Sequence, residues 1–306
     1  MPVHLPTSAA PCTVRFQGRI GREPGSGFTA VPHRYHLYVS LACPRSLRAA
    51  VTRSLAGLED KVTLSVVTPV RDGRGWAFRT GEGPDSVGGF AQLREAYEAT
   101  EHHYEGPVSV PVLWDRWSGR IVSNQADDIM YDLATAFEGA GPELYPAGLA
   151  DGIARYGALF DDDVWEAAQQ AGRARRGDRY DEATGTVFNA LGLLEHRLSQ
   201  SPFLFGDRLT AADVHLWTTL LHVDAVHRRH LWVEDVRRIG EHTVLWAYFE
   251  RLYELPAFRD NLRLDHIAQH HRASCRGPAA SGSTLPIVDW DRLAGTAPEA
   301  AAGDCG

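Results

Sequence analysis

The sequence predicts two modules in series, an α/β unit followed by an all-α unit. Between residues 34 and 140, strand-like and helix-like segments run βαβ and then ββα. After Pro146 the strand texture stops, and later segments repeat their apolar residues at helical spacing. The length, 306 residues, suits two domains.

The elements follow in order. Residues 1–33, rich in Gly, Pro and Ser, read as an irregular N-terminal arm packed on the surface. Arg34–Leu41 (RYHLYVSL) is aromatic and β-branched, a strand; Pro44 then opens a helix to about Ala56, because proline suits a first helical turn. Lys61–Val67 (KVTLSVV) is a second strand, Arg71–Asp85 a Gly-rich loop and Gly88–His103 a helix. Val108–Trp114 and Arg120–Ser123 pair as a hairpin across Asp115–Gly119, and Asn124–Phe137 returns to helix. The first module therefore covers 34–140 and the second 147–272, with helices near 147–160, 162–176, 180–199, 210–226, 243–254 and 263–272. Thr210 and Asp213 form a capping box ahead of a long apolar helix. Residues 277–306 read as a loosely held tail.

Composition narrows the function. A net charge of −8 without a basic block speaks against nucleic acid or an anionic membrane as partner, and 44% apolar residues exclude wholesale disorder. No run of about 18 apolar residues and no charged-then-apolar leader is present, so the expected location is the cytoplasm. Of 31 basic residues only Lys61 is lysine, a codon effect of a G+C-rich genome rather than a folding requirement. Cys12, Cys43, Cys275 and Cys305 are scattered and form no CxxC pair, which argues against a disulfide framework or a structural zinc site.

Cys43 stands where a strand ends and a helix begins, in Leu41-Ala42-Cys43-Pro44-Arg45-Ser46. Unpaired amides and the helix dipole favour thiolate there, and thiol pKa values in such settings fall to about 3.5–7.5. Arg45 and Arg48 act in the same direction. A cysteine taken alone is usually a buried, inert one, but the Cys-Pro step at a strand–helix junction reverses that reading. Ser46 occupies the place of a resolving cysteine, so an external thiol must regenerate Cys43. Pro111 inside Val110-Pro111-Val112 cannot donate to a ladder; either it opens or edges a strand, or a cis bond after Val110 turns backbone groups toward the thiol.

The string Arg34-Tyr35-His36-Leu37-Tyr38-Val39-Ser40-Leu41-Ala42-Cys43-Pro44 resembles the signature of the Xi-class glutathione transferases, the glutathionyl-hydroquinone reductases. Gly75-Trp76, Val110-Pro111-Val112-Leu113-Trp114-Asp115, Ile121-Val122-Ser123-Asn124, Leu209-Thr210-Ala211-Ala212-Asp213, Thr218-Thr219-Leu220, Asp224-Ala225-Val226 and Asp265-His266-Ile267 extend the resemblance over roughly residues 34–272. It implies a thioredoxin-like N-terminal domain, an all-helical C-terminal domain and a homodimer. It also implies that Cys43 attacks the sulfur of a glutathionyl-hydroquinone and that a second glutathione resolves the mixed disulfide. By the same resemblance Trp76, Val110 and Pro111 line the thiol site.

Departures cluster at the ligand. Arg45 and Ser46 replace the family's Trp-Ala after Cys-Pro, and Gln125-Ala126 replaces the Glu-Ser that holds the γ-glutamyl group. A lost hydrogen bond to a charged group is worth about 1.5–3 kcal/mol, but backbone amides at the following helix start can still receive a carboxylate. The family's second-substrate tyrosines fall on Trp165, His227 and either His271 or Arg272. His266 and His270 lie one helical turn apart but lack a third ligand fixed by sequence, so they read as structural and no metal is expected. Asp161-Asp162-Asp163 reads as a solvated helix N-terminus. The alternatives to a Xi-type reductase are a conjugating transferase acting on another electrophile and a non-catalytic dimeric binding protein. Mycothiol, which lacks a γ-glutamyl group, is the alternative thiol to glutathione.

Overall fold

The computed structural model describes residues 16–21, 27–78, 85–139, 141–275 and 286–295. The first module is a four-stranded mixed sheet in the order β4-β3-β5-β6, where β3 is Tyr35–Val39, β4 Val62–Val66, β5 Val112–Asp115 and β6 Arg120–Ser123. β3 pairs in parallel with β4 and antiparallel with β5, which closes the β5–β6 hairpin. Helix α1 (Pro44–Leu55) provides the crossover between β3 and β4; α2 (Leu93–Thr100) precedes β5 and α3 (Ala126–Thr135) follows β6.

Strand alternation sorts the core. Tyr35, Leu37 and Val39 of β3 join one apolar cluster with Leu113, Val122, α1, α3 and the helical module. Tyr38 joins the other with Val112, Trp114, Ile121, Trp76 and the buried side of α2. Both faces are covered, so β3 is buried along its whole length, His36 included.

The second module begins with α4 (Ala150–Ala158), which continues through a π-helical stretch, Leu159–Glu166, into α5 (Ala167–Arg173). Helices α6 (Asp178–Leu198), α7 (Ala211–Ala225), a 3₁₀ turn His227–His230, α8 (Val233–Gly240), α9 (Thr243–Tyr253), α10 (Pro256–Arg259) and α11 (Leu264–Ser274) follow. Helix α7 is buried on nearly every side, its apolar residues in the core and its buried polar ones, among them Asp213 and Asp224, held by hydrogen bonds. The thioredoxin-like layer and the helical bundle share one apolar cluster, which includes Leu47 of α1 and Leu216 of α7.

Several sequence expectations are corrected. The arm is not merely irregular: Ile20–Gly21 (β1) and Phe28–Thr29 (β2) pair in parallel, and Gln17 bridges Ser123. Asp132 of α3 clamps the arm, accepting from the Ile20 N–H at 2.7 Å and from the Arg19 guanidinium. Within the segment read as a loose tail, residues 286–295 are docked and carry α12 (Trp290–Gly295). Buried Asp224 holds that segment through the Ile287 N–H at 2.6 Å and Trp290 Nε1 at 2.8 Å. Helix α2 starts five residues later than Gly88, where Gln92 and Glu95 form a capping box. Strand β5 starts only at Val112, so Pro111 removes no ladder bond. The aspartate triplet 161–163 lies inside the π-helical stretch rather than at a helix start. The 3₁₀ turn and α10 are too short for periodicity to reveal, and α8, which buries Val236 and Ile239, is an element the sequence reading passes over.

The connection between modules passes tightly beneath the end of α1. A Cβ on Gly141 would lie 1.9 Å from the Leu55 carbonyl oxygen, and one on Gly139 2.3 Å from that of Ala56. Both obstacles are backbone atoms. Gly141→Ala is therefore expected to destabilise the chain by about 1–3 kcal/mol, read from urea unfolding, with no contact to the thiol site.

Candidate active site

Cys43 is the N-cap of α1, with extended backbone (φ −95°, ψ 123°) and Pro44 in the first turn. Its carbonyl accepts the Leu47 N–H at 2.9 Å, and its own N–H donates to Ser40 at 2.9 Å. The side chain is half-buried, and Sγ stands 4.0 Å from the Val110 carbonyl oxygen. The Val110–Pro111 peptide bond is cis. The cysteine at the helix start and the carbonyl before the cis-proline thus face each other, although 67 residues separate them. Ser46 is buried and Arg45, one residue before it, is exposed. Arg48 is buried one turn further along, its guanidinium 3.9 Å from Asp127 at the start of α3.

Gln125 is the N-cap of α3, but its side chain caps nothing; its N–H donates to Ser123 Oγ at 3.0 Å. Ala126 is the first helical residue and is buried. The α3 start therefore presents backbone amides and the acidic Asp127 and Asp128, without a capping hydroxyl. Trp76 is 6% exposed, packed among Tyr38, Val67 and Val110. His270 of α11 stacks near it, with ring centroids 6.0 Å apart and 17° between planes, and the Arg71 guanidinium lies 5.4 Å from its ring. His270 also donates to the Pro69 carbonyl at 2.8 Å, so it ties the helical module to the loop carrying Trp76.

The three residues assigned to the second-substrate wall do not all meet. Half-buried Trp165 packs edge-on against His227, with centroids 4.7 Å apart. His227 is 4% exposed, and its Nε2 has no partner among the described residues. His271 instead contacts His230, Nε2 to Nε2, at 2.7 Å. The sequence passed over His222, which lies 5.3 Å from Trp165, donates Nδ1 to the Thr218 carbonyl at 2.8 Å and reaches the Ala42 backbone beside the nucleophile. Thr218 and His222, polar residues one turn apart in a largely buried helix, were the available signal. A cleft of about 630 Å³ between α1, α3, α4 and α7 is lined by Arg48, Asp127, Tyr145, Asp161 and His215, not by Cys43 or the second-substrate residues.

Burial keeps these imidazoles neutral. Desolvation, with the charges of His222, His230, His271 and Arg173 adding to it, drives His227 down to about 3. His36 on β3 falls to about 4 because burial outweighs the pull of Asp85, while Arg116 and Arg53 add to the lowering. A histidine depressed in the folded state contributes stability above its unfolded pKa and loses it as pH falls toward the folded value. His36 and His227 are therefore each expected to lower unfolding free energy by up to about 1.4 kcal/mol per pH unit between about 6.5 and 4. Urea midpoints at pH 7 and 5 read this, and His227→Phe is expected to flatten the slope.

A cysteine at the start of the first helix, set against a cis-proline carbonyl in a thioredoxin-like layer that packs on a helical bundle, defines the cysteine-type glutathione transferase architecture. The model of the glutathione S-transferase C-terminal domain matches residues 177–251. The glutathionyl-hydroquinone reductase YqjG of Escherichia coli K12 is 37% identical over 282 residues, 90% of this chain and 85% of that protein. Its glutathione-bound structure superposes with a TM-score of 0.78 at 33% identity, covering 89% of this chain and 94% of the other. Glutathionyl-hydroquinone reductase PcpF of Sphingobium chlorophenolicum is 33% identical over 254 residues, 81% of each chain. A Xi-class enzyme from Natrialba magadii gives a TM-score of 0.79 at 32% identity, covering 92% of this chain and 91% of that one. The chain belongs to the Xi-class glutathione transferases, the glutathionyl-hydroquinone reductase family.

Proposed function

We propose that this chain reduces glutathionyl-hydroquinone-type adducts with glutathione, through a mixed disulfide on Cys43. The observation that carries the mechanism is Cys43 Sγ at a helix N-terminus, 4.0 Å from the Val110 carbonyl. The Cys43 thiolate attacks the glutathione sulfur of the adduct. The sulfur–carbon bond breaks, its electron pair stays on carbon, and a proton completes the free hydroquinone. A second glutathione thiolate attacks the Cys43–glutathione disulfide, releasing oxidised glutathione and the Cys43 thiolate. The organic ring gains two electrons, and two glutathione sulfurs lose them.

Among the described residues Cys43 has no internal resolving thiol: Ser46 stands at that position, and the other described cysteine, Cys275, sits against His230. In this reading Val110 and Pro111 align the cysteinyl backbone, Trp76 walls the pocket, Arg45 lies at its rim, and Gln125 and Ala126 present the α3 amides to the γ-glutamyl carboxylate. Trp165 and His227 form the second-substrate side in this reading, with donors other than tyrosine hydroxyls, while His271 is engaged by His230. The working unit in this reading is a cytoplasmic homodimer; no described helix is long and apolar enough to cross a membrane.

The absence of a side-chain cap at α3 supports a second reading of the thiol, mycothiol in place of glutathione. Intact-mass analysis tests the Cys43 disulfide, and a thermal-shift comparison separates the two thiols. Glutathione disulfide is expected to add one glutathionyl group to wild type and none to Cys43→Ser, and a larger thermal shift with mycothiol than with glutathione would overturn the choice of thiol.

A further inference from the structure

The contact between His230 and His271 does not belong to the thiol chemistry of Cys43. Their Nε2 atoms are 2.7 Å apart, Cys275 Sγ is 3.6 Å from His230 Nε2, and the three donor atoms lie within 4.8 Å of one another. All three residues are half-buried. His271 and Cys275 occupy one face at the end of α11, one turn apart, and the Cys275 N–H closes that turn onto the His271 carbonyl at 2.8 Å. His230 ends the 3₁₀ turn, held close to α5 by Gly172, where a Cβ would lie 2.8 Å from the His230 Cβ.

Two imidazole nitrogens this close are bridged either by a hydrogen, one ring's N–H donating to the other's lone pair, or by a metal ion. Around tetrahedral zinc, bond lengths of about 2.0–2.1 Å to nitrogen and about 2.3 Å to sulfur give edges of about 3.3 Å (N–N) and about 3.5 Å (N–S). The Cys275 Sγ–His230 Nε2 edge is already at that spacing, the nitrogen pair has to open by about 0.6 Å, and Cys275 Sγ lies within 4.8 Å of the His271 donor atom. Two imidazoles and a thiolate form a borderline-soft donor set, suited to zinc-class ions and not to magnesium or calcium.

We propose that His230, His271 and Cys275 bind one divalent, thiophilic transition-metal ion of the zinc class, leaving a fourth position for water or a small thiol. On binding, the Cys275 thiol gives its proton to solvent. The imidazole that donates in the present contact moves its proton to Nδ1, so that both Nε2 lone pairs meet the ion. The helical-turn pair His266 and His270 is not the site, because His270 is engaged with Pro69 and Trp76. The relevant spacing in the sequence is His271 to Cys275, completed by a residue 41 positions away.

The test is titration of the metal-stripped full-length protein with Co²⁺, followed by Zn²⁺. One equivalent of Co²⁺ is expected to produce thiolate-to-cobalt charge-transfer absorption with tetrahedral visible bands, and Zn²⁺ to displace it. Cys43→Ser is expected to keep the spectrum and Cys275→Ser to lose the charge-transfer band. Because losing an outer-sphere partner alone weakens metal sites about 10–100-fold, His271→Ala is expected to weaken binding by at least about 100-fold. In wild type, Zn²⁺ is expected to slow alkylation of Cys275 but not of Cys43, a readout that does not depend on any variant folding. No charge-transfer band at stoichiometric Co²⁺, a band that survives Cys275→Ser, a band lost in Cys43→Ser, or Cys275 alkylation unchanged by Zn²⁺ would each overturn the proposal.

Discussion

Cys43→Ser is expected to reduce glutathione-dependent turnover of a glutathionyl-hydroquinone by at least about 10³-fold while leaving the fold intact. The magnitude follows from the role. Serine is isosteric enough for the α1 N-cap, and its hydroxyl even suits that position, so stability holds or rises slightly. It is, however, a far weaker nucleophile at neutral pH and cannot form the sulfur–sulfur bond on which both half-reactions depend. The measurement is steady-state release of free hydroquinone beside a urea unfolding curve of the same variant. Turnover within tenfold of wild type would sink the Cys43 mechanism. A parallel assay of thiol addition to 1-chloro-2,4-dinitrobenzene discriminates the conjugating alternative, which predicts that reaction to dominate in wild type.

The second large effect concerns stability. The buried Asp213 carboxylate accepts four hydrogen bonds: Oδ1 from the Leu204 N–H at 3.0 Å and the Tyr248 hydroxyl at 3.0 Å, Oδ2 from the Thr210 N–H at 2.8 Å and the Thr210 hydroxyl at 2.9 Å. Thr210 and Asp213 cap α7 reciprocally, and Tyr248 joins that cap to α9. Asp213→Ala leaves several of these donors buried without an acceptor, at about 1–3 kcal/mol each. The expected loss is about 4 kcal/mol or more, a large share of the 5–15 kcal/mol typical of a folded domain. Asp213→Asn keeps one oxygen and is expected to lose roughly half as much. A loss below about 1 kcal/mol for Asp213→Ala, measured by urea unfolding, would mean that these bonds are compensated elsewhere.

Sequence reading reached whatever is decided within one or two turns of chain. Cys43 ahead of Pro44, the Thr210–Asp213 box and the Asp115–Gly119 hairpin all rest on neighbours a few residues apart. Their geometry follows from capping and turn chemistry alone. The order of strands and helices was readable for the same reason, because apolar period distinguishes the two over seven or more residues. Short elements escaped: α10 and the 3₁₀ turn are too brief to show a period, and α8, eight residues long, was passed over although it buries Val236 and Ile239 on one face.

Composition misled at both ends. The Gly- and Pro-rich arm and the Ala- and Ser-rich tail look unstructured, yet single buried carboxylates secure parts of each. Asp132 holds the arm across 112 residues of sequence and Asp224 holds the tail across 63. One well-satisfied buried charge outweighs the weak propensity of the segment it anchors.

By itself, then, the sequence determined the α/β-then-helical order, the position of Cys43 at a helix start, and the family. Only the tertiary structure decided which imidazoles meet. His222 lies against the Ala42 backbone, His227 against Trp165, and His271 against His230 and Cys275 rather than beside Trp165. The seven histidines from His222 to His271 carry no local pattern that distinguishes a helix prop from a donor or a metal ligand. The distinction arises when α7, the 3₁₀ turn and α11 pack together and bring side chains from separate elements within bonding distance.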